Sequence, residues 1–242
     1  MPHPAPRPQP VAGAEPVSGT PIVIAVDGPS GSGKSTVARA VAHRLGLRYL
    51  DTGAMYRAVT WAVLARGLDT SDPSAVAAAV ADLELRVGTD PDRPTIAVGD
   101  TDVTDAVRAQ PITRAVSAVS AVPAVRAVLV ALQRSLIGSG GIVVEGRDIA
   151  TVVAPDAEVK VYLTADPAAR AQRRAAEEDA DDARTQVELA RRDALDSTRT
   201  ASPLTRSPDA TLVDATDLTA EQVVGVVLDL VAASGERRRG QQ

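Results

Sequence analysis

The sequence predicts an α/β protein built on a parallel β-sheet covered by helices on both faces. Three observations lead there. Five short apolar runs, Ile22 to Val26, Arg48 to Leu50, Ile142 to Val144, Val159 to Leu163 and Thr211 to Val213, have the length and composition of buried strands. Each is followed by a helix-compatible stretch, and strands alternating with helices pair in parallel through crossovers. Helix starts are also marked: Asp166-Pro167 joins a cap to a proline in the first turn, and Thr219 is followed three residues on by Gln222.

Taken in order, residues 1–20 carry proline at positions 2, 4, 6, 8, 10 and 16, which cannot build a packed face and reads as a disordered tail. The domain is expected over residues 21–234. After the first strand comes an amphipathic helix, Val37 to Leu45, and then the second strand. From about 69 to 110 the alternation breaks. A short helix opened by Asp72-Pro73 and the runs Leu83 to Val87 and Thr95 to Val98, with turn-rich Gly88 to Pro94 between them, suggest a small antiparallel insert. The remaining strands follow. Between the last two, residues 177–203 are densely charged, which suits either a solvated helical hairpin or a mobile helical lid whose arginines close on phosphates. Residues 235–242 read as a flexible tail.

Composition excludes several functions. In 242 residues there is no cysteine, so disulfides, thiolate nucleophiles and Cys-ligated metals are out. With two histidines, His3 and His43, imidazole chemistry is not expected. The net charge of −5 argues against a binder of nucleic acid or anionic membrane acting through bulk charge. No apolar run reaches the roughly 20 residues that span a bilayer. No signal-peptide pattern is present, and with the lack of cysteine this places the protein in the cytoplasm. Lysine occurs only at 34 and 160, against 24 arginines.

One lysine sits in a motif. Gly28-Pro29-Ser30-Gly31-Ser32-Gly33-Lys34-Ser35 satisfies G-x-x-x-x-G-K-[ST] between the first strand and its helix. The glycines let the backbone curl so that successive N–H groups face phosphate oxygens, and the helix adds the positive end of its dipole. Lys34 reaches the β- and γ-phosphates and the Ser35 hydroxyl is placed for Mg²⁺. The chain has no asparagine, so it lacks the Asn-Lys-x-Asp motif with which GTPase switches read guanine. Its third strand ends in Glu145-Gly146-Arg147-Asp148 rather than in the Asp or Asp-Glu of motor ATPases. A small kinase, which works by positioning and charge neutralisation, fits best.

Four ordered stretches carry a more specific resemblance: Asp27 to Thr36, Tyr49 to Arg57, Glu145 to Val153, and Arg192-Asp193 through Asp196-Ser197-Thr198-Arg199 to Pro203-Leu204. With the insert after Gly67, they are similar to the bacterial cytidylate kinases, the CMP/dCMP branch of the nucleoside monophosphate kinases. The resemblance implies a P-loop kinase fold: a parallel five-stranded sheet flanked by helices, a small inserted NMP-binding subdomain and a helical lid. ATP would be held by Gly28, Pro29, Ser30, Gly31, Ser32, Gly33, Lys34, Ser35 and Thr36. Thr52, Arg57 and Arg147 are implied at the acceptor phosphate, and Asp148, Ser117 and Arg126 at the cytosine. Arg192 and Asp196 are implied at the ribose and Arg199 at the phosphates.

Lys34, Arg147, Arg199 and Arg174 are the expected catalytic cations. Arg170, Arg173 and Arg174, spaced i, i+3 and i+4, are expected to aim at one region around the migrating phosphoryl group. The implied reaction is ATP-dependent, Mg²⁺-assisted phosphorylation of CMP and dCMP by a monomer, with no nucleic acid or membrane partner. The alternatives are a kinase of the same architecture acting on UMP or a small metabolite, and a regulatory P-loop ATPase.

Overall fold

The computed structural model describes residues 22–178, 182–199 and 202–239. The N-terminal tail expected over residues 1–20 lies outside them. Five strands, β1 (Val23–Asp27), β2 (Arg48–Asp51), β6 (Ile142–Gly146), β7 (Val159–Thr164) and β8 (Thr211–Asp214), form one sheet in the order β2-β6-β1-β7-β8. All neighbours pair in parallel. The register aligns Asp27 with Gly146 and Asp51 with Glu145, so the carboxyl ends of the three strands that precede functional loops finish at one edge. That edge is where open α/β sheets bind ligands.

Strand alternation sends neighbouring side chains to different layers. Ala25 and Val144 join a cluster with Met55, Val59, Val116 and Leu129. Ile24, Val26 and Val143 join another with Val37, Val41, Val224 and Val227. The first layer is built on α2 (Thr52–Ala65), α3 (Pro73–Ala81), α4 (Gln110–Ala121) and α5 (Pro123–Ile137). The second is built on α1 (Lys34–Leu45) and α8 (Ala220–Arg239). In a chain without Phe, β-branched residues supply most of this core, and burying each stabilises by about 1.5–3 kcal/mol.

The segment after α2 is antiparallel, with β3 (Leu85–Val87), β4 (Ile96–Val98) and a third, two-residue strand β5 (Thr101–Asp102) that the sequence pattern did not single out. Asp72 caps α3, accepting from Ser74 N at 2.9 Å and Ala75 N at 3.2 Å. The helical run before β6 breaks at Val122, held extended by Pro123. Beyond β7 come α6 (Pro167–Glu178) and α7 (Asp182–Thr198).

Both capping signals are used. Asp166 accepts from Ala168 N, and Thr219 and Gln222 exchange hydrogen bonds. One difference lies at the C-terminus, where α8 runs on to Arg239 through residues expected to be a flexible tail. Among the described residues no single helix is long and apolar enough to cross a membrane.

Candidate active site

The phosphate loop joins β1 to α1. Gly28, Gly31 and Gly33 have φ of 151°, 74° and 88°. A Cβ at Gly28 would stand 2.0 Å from the Leu163 carbonyl oxygen, and one at Gly31 2.7 Å from that of Arg170. Gly33 precedes α1 without a side-chain cap, so the helix's first N–H groups stay available to an anion. Lys34 Nζ donates to Pro29 O at 2.7 Å, and Ser32 Oγ to the same oxygen at 3.0 Å. Burial lowers the Lys34 pKa, Arg147 and Arg192 add to the shift, and Glu145 opposes it. A triphosphate brought to this loop would favour the cation.

Next to the loop, Asp51 caps α2 by accepting from Ala54 N at 2.9 Å, which sets Thr52 at the helix start. Thr52 Oγ1 donates to Glu145 O at 2.7 Å. Arg57, one and a half turns further, is buried and donates to Val107 O at 3.1 Å and Thr113 Oγ1 at 2.9 Å. It is therefore not a surface charge.

Opposite lies a lattice of arginines and aspartates drawn from the turn after β6, from α5, and from α7 and the residue that follows it. Arg147 Nε meets Asp196 at 2.8 Å, and its Nη1 donates to Gly28 O at 2.8 Å. Arg126 pairs with Asp148, both almost fully buried, and lies 5.4 Å from the centre of the Tyr56 ring. Arg199 stands 3.8 Å from Asp148 and 3.7 Å from Asp196. Burial pushes the Asp148 carboxyl up, against Arg126 and Arg199. Burial works the same way on Asp196, but Arg147, Arg192 and Arg199 together outweigh it and hold that carboxyl low. Arg192, lowered to about 9 by burial and by Arg147 and Arg57, reaches Ser30 Oγ at 3.5 Å.

Eight basic side chains (Lys34, Arg57, Arg108, Arg126, Arg147, Arg174, Arg192 and Arg199) and four acidic ones (Asp51, Glu145, Asp148 and Asp196) line one cleft. Cations that outnumber carboxylates two to one, with Arg192 held low by burial and by neighbouring Arg147 and Arg57, make an anion site in a chain whose overall charge is negative.

The structure brings most of the sequence-predicted residues together. Ser30, Gly31, Gly33, Lys34, Ser35, Thr36, Thr52, Arg57, Ser117, Arg126, Arg147, Asp148, Arg174, Arg192, Asp196 and Arg199 all line this cleft. Gly28, Pro29 and Ser32 shape the loop from behind, and Ser32 faces a second depression with Thr36, Val37, Arg173, Leu218 and Val223. The expectation that Arg170, Arg173 and Arg174 aim at one region is corrected. Arg170 pairs with Asp193 and donates to Ser30 O at 3.1 Å, whereas Arg173 donates to Ala215 O at 2.6 Å beyond β8. Of the three only Arg174 lines the cleft: Arg173, adjacent to it, is turned away by about 100° of helical phase, and Arg170, one turn earlier on the same face, is taken up by Asp193 and Ser30 O.

Sequence reasoning gave no role to Glu145, Asp27, Tyr49 or Arg108. Glu145 is buried, accepts from Tyr49 Oη and has its pKa raised by burial and then by Asp51. Its position at a strand's carboxyl end was the available signal. Arg108 is 3.4 Å from Asp51 and carried none.

Mg²⁺ fits the oxygen donors present. Glu145, whose proton affinity burial and then the Asp51 charge raise, lines the cleft together with Asp51 and Ser35. Hard oxygen ligands suit this ion. Among the described residues no group of three or more His, Cys, Asp or Glu could hold a metal alone, so the ion would take phosphate oxygens as well.

The family model described as cytidylate kinase matches residues 24–233. A cytidylate kinase of Streptomyces avermitilis is 54% identical over 213 residues, covering 87% of this chain and 92% of the relative. One of Nocardia farcinica is 52% identical over 219 residues, covering 88% and 94%. A solved structure of an uncharacterized protein from Eubacterium ventriosum shares the fold at a TM-score of 0.51 and 10% identity, covering 87% of this chain and 98% of that one.

Proposed function

The chain belongs to the cytidylate kinase family, and from that membership we infer that it transfers the γ-phosphoryl group of ATP to the 5′-phosphate of CMP and dCMP. The observation that carries the acceptor assignment is the buried Arg126–Asp148 pair, in one cleft with the phosphate loop and with Ser117. Cytosine offers a ring nitrogen and carbonyl as acceptors and an amino group as donor, so an arginine beside a carboxylate complements it.

Thr52, Arg57 and Arg147 are assigned to the acceptor phosphate, and Arg192 and Asp196 to the ribose. An oxygen of that phosphate attacks the γ-phosphorus in line, the bond to the β–γ bridging oxygen breaks, and ADP leaves with the electron pair. No covalent enzyme intermediate and no base are needed. Lys34, the α1 N-terminus, Arg147, Arg174 and Arg199 neutralise charge spreading over the transferred group. Ser35, with the Asp51 and Glu145 carboxylates nearby, would hold Mg²⁺ together with phosphate oxygens, and the ion would supply further charge neutralisation. The depression between Gly33 and Val223 suits the donor's adenine, with apolar Val37 and Leu218 on its walls.

The insert over 69–110 is assigned to the acceptor side and the 177–203 segment to a lid, in a cytoplasmic monomer. The test is ADP release from MgATP with CMP, dCMP, UMP or AMP. CMP and dCMP are expected to stimulate strongly and UMP weakly. A rate with CMP equal to the acceptor-free rate overturns the reading in favour of a regulatory ATPase.

A further inference from the structure

Asp27, the last residue of β1, stands directly before the phosphate loop and yet does not line the cleft. It is 2% exposed. Its Oδ1 accepts from Ile149 N and its Oδ2 from Ala150 N, both at 2.8 Å. These are the first two N–H groups of a five-residue π-helical turn, Ile149–Val153, that begins immediately after Asp148. The i→i+5 bonds of such a turn, seen at Val153 N to Asp148 O and Ala154 N to Ile149 O, leave its first N–H groups without partners of their own. One carboxylate satisfies both.

A second link lies one residue on. Gly28 O accepts from Arg147 Nη1, so the dipeptide Asp27-Gly28 grips the 147–150 segment at three points. The bonds to Ile149 and Ala150 span 122 and 123 residues of sequence. Holding a carboxylate here is costly, since burial raises its pKa to about 6 in spite of the two N–H donors. A hydroxyl or amide would cap one N–H more cheaply. Only a carboxylate accepts both without presenting a donor to either.

We propose that Asp27 is a positioning residue for the acceptor base: it straps the turn that carries Arg147 and Asp148 to the root of the phosphate loop. This rests on the reading of Asp148 as the group that meets cytosine. Arg147 and Asp148 are thereby aimed from the donor side of the site, and weakening the strap degrades acceptor binding before donor binding.

Asp27→Asn tests this, because its single oxygen accepts only one N–H and its amide opposes the other. The KM for CMP is expected to rise about tenfold, equivalent to about 1.4 kcal/mol, while the KM for ATP stays within about twofold and the CMP-over-UMP preference falls. Amide exchange at Ile149 or Ala150 should accelerate. A parallel rise in both KM values assigns Asp27 to the phosphate loop and overturns the proposal, as does an unchanged KM for CMP with released amides. The wild-type protein supplies a measurement independent of any variant: CMP must slow exchange at Ile149 and Ala150, and no slowing overturns the proposal. Failure of the underlying reading has its own signature, an unchanged CMP-over-UMP preference in Asp148→Asn, and takes the positioning role with it.

Discussion

Replacing Asp148 by asparagine keeps the side chain's shape and removes one negative charge from between two buried cations. Arg126 is 5% and Arg199 6% exposed, and Asp148 itself 6%. With the negative charge gone, Arg126 can still donate to the asparagine's amide oxygen, to Ser120 O at 3.5 Å and toward the Tyr56 ring at 5.4 Å, but it loses its paired counter-charge. Removing one partner of a buried pair costs about 3–5 kcal/mol, because the other charge is left uncompensated. Two features favour the lower end. Burial already raises the Asp148 pKa, so part of the cost of its own charge is returned, and Arg199 keeps Asp196 at 3.7 Å. A loss of about 3 kcal/mol lowers the Tm of a chain this long by about 6–12 °C.

Catalysis changes separately. A hydrogen bond to a charged group contributes about 1.5–3 kcal/mol, so kcat/KM for CMP should fall about 10- to 150-fold. The asparagine amide donates to the uracil carbonyl that replaces the amino group, so UMP turnover is held or raised. Thermal unfolding and ADP release with CMP and UMP read both effects. A Tm within 1 °C of wild type refutes the stability argument, and a CMP-to-UMP ratio within about twofold refutes Asp148 as base reader.

Lys34→Met should leave the fold intact, since burial already penalises the ammonium, while kcat falls by about 10²–10³; a drop under tenfold in the ADP assay contradicts its role. Gly28→Ala forces a Cβ to 2.0 Å from backbone, whereas Gly33→Ala meets nothing within 4 Å and carries only left-handed strain of about 1–2 kcal/mol. Urea unfolding should find the first far more destabilised, and equal losses would refute the loop geometry. Asp27 also predicts a pH dependence. With its pKa raised to about 6 from 3.8, the folded state holds a proton that the unfolded chain has released, so stability is greatest below 3.8 and falls as pH rises through 6. Wild type should lose up to ~3 kcal/mol relative to Asp27→Asn between pH 4 and 7; parallel stability–pH curves for the two proteins refute this.

What could be read before folding was whatever the chain writes contiguously. The phosphate loop is legible because backbone N–H groups do its work, and only glycine spacing followed by Lys34 and Ser35 is needed to aim them. The parallel sheet is legible for a similar reason, as strands buried on both faces must be apolar runs. The pairing of Arg126 with Asp148 was reachable only through resemblance, since 22 residues separate them and Arg126 sits among uninformative Ala and Val.

Tertiary structure decided the rest. It turned Arg173 toward the chain beyond β8 and left Arg174 in the cleft, an outcome set by helical phase that spacing alone did not resolve. It gave Asp27 a partner 122 residues away and put Glu145 beside Asp51 through strand register. Charge shows the same division. Sequence establishes the sum of −5, but electrostatic work depends on distance and burial, and only the fold gathers eight cations around one cleft.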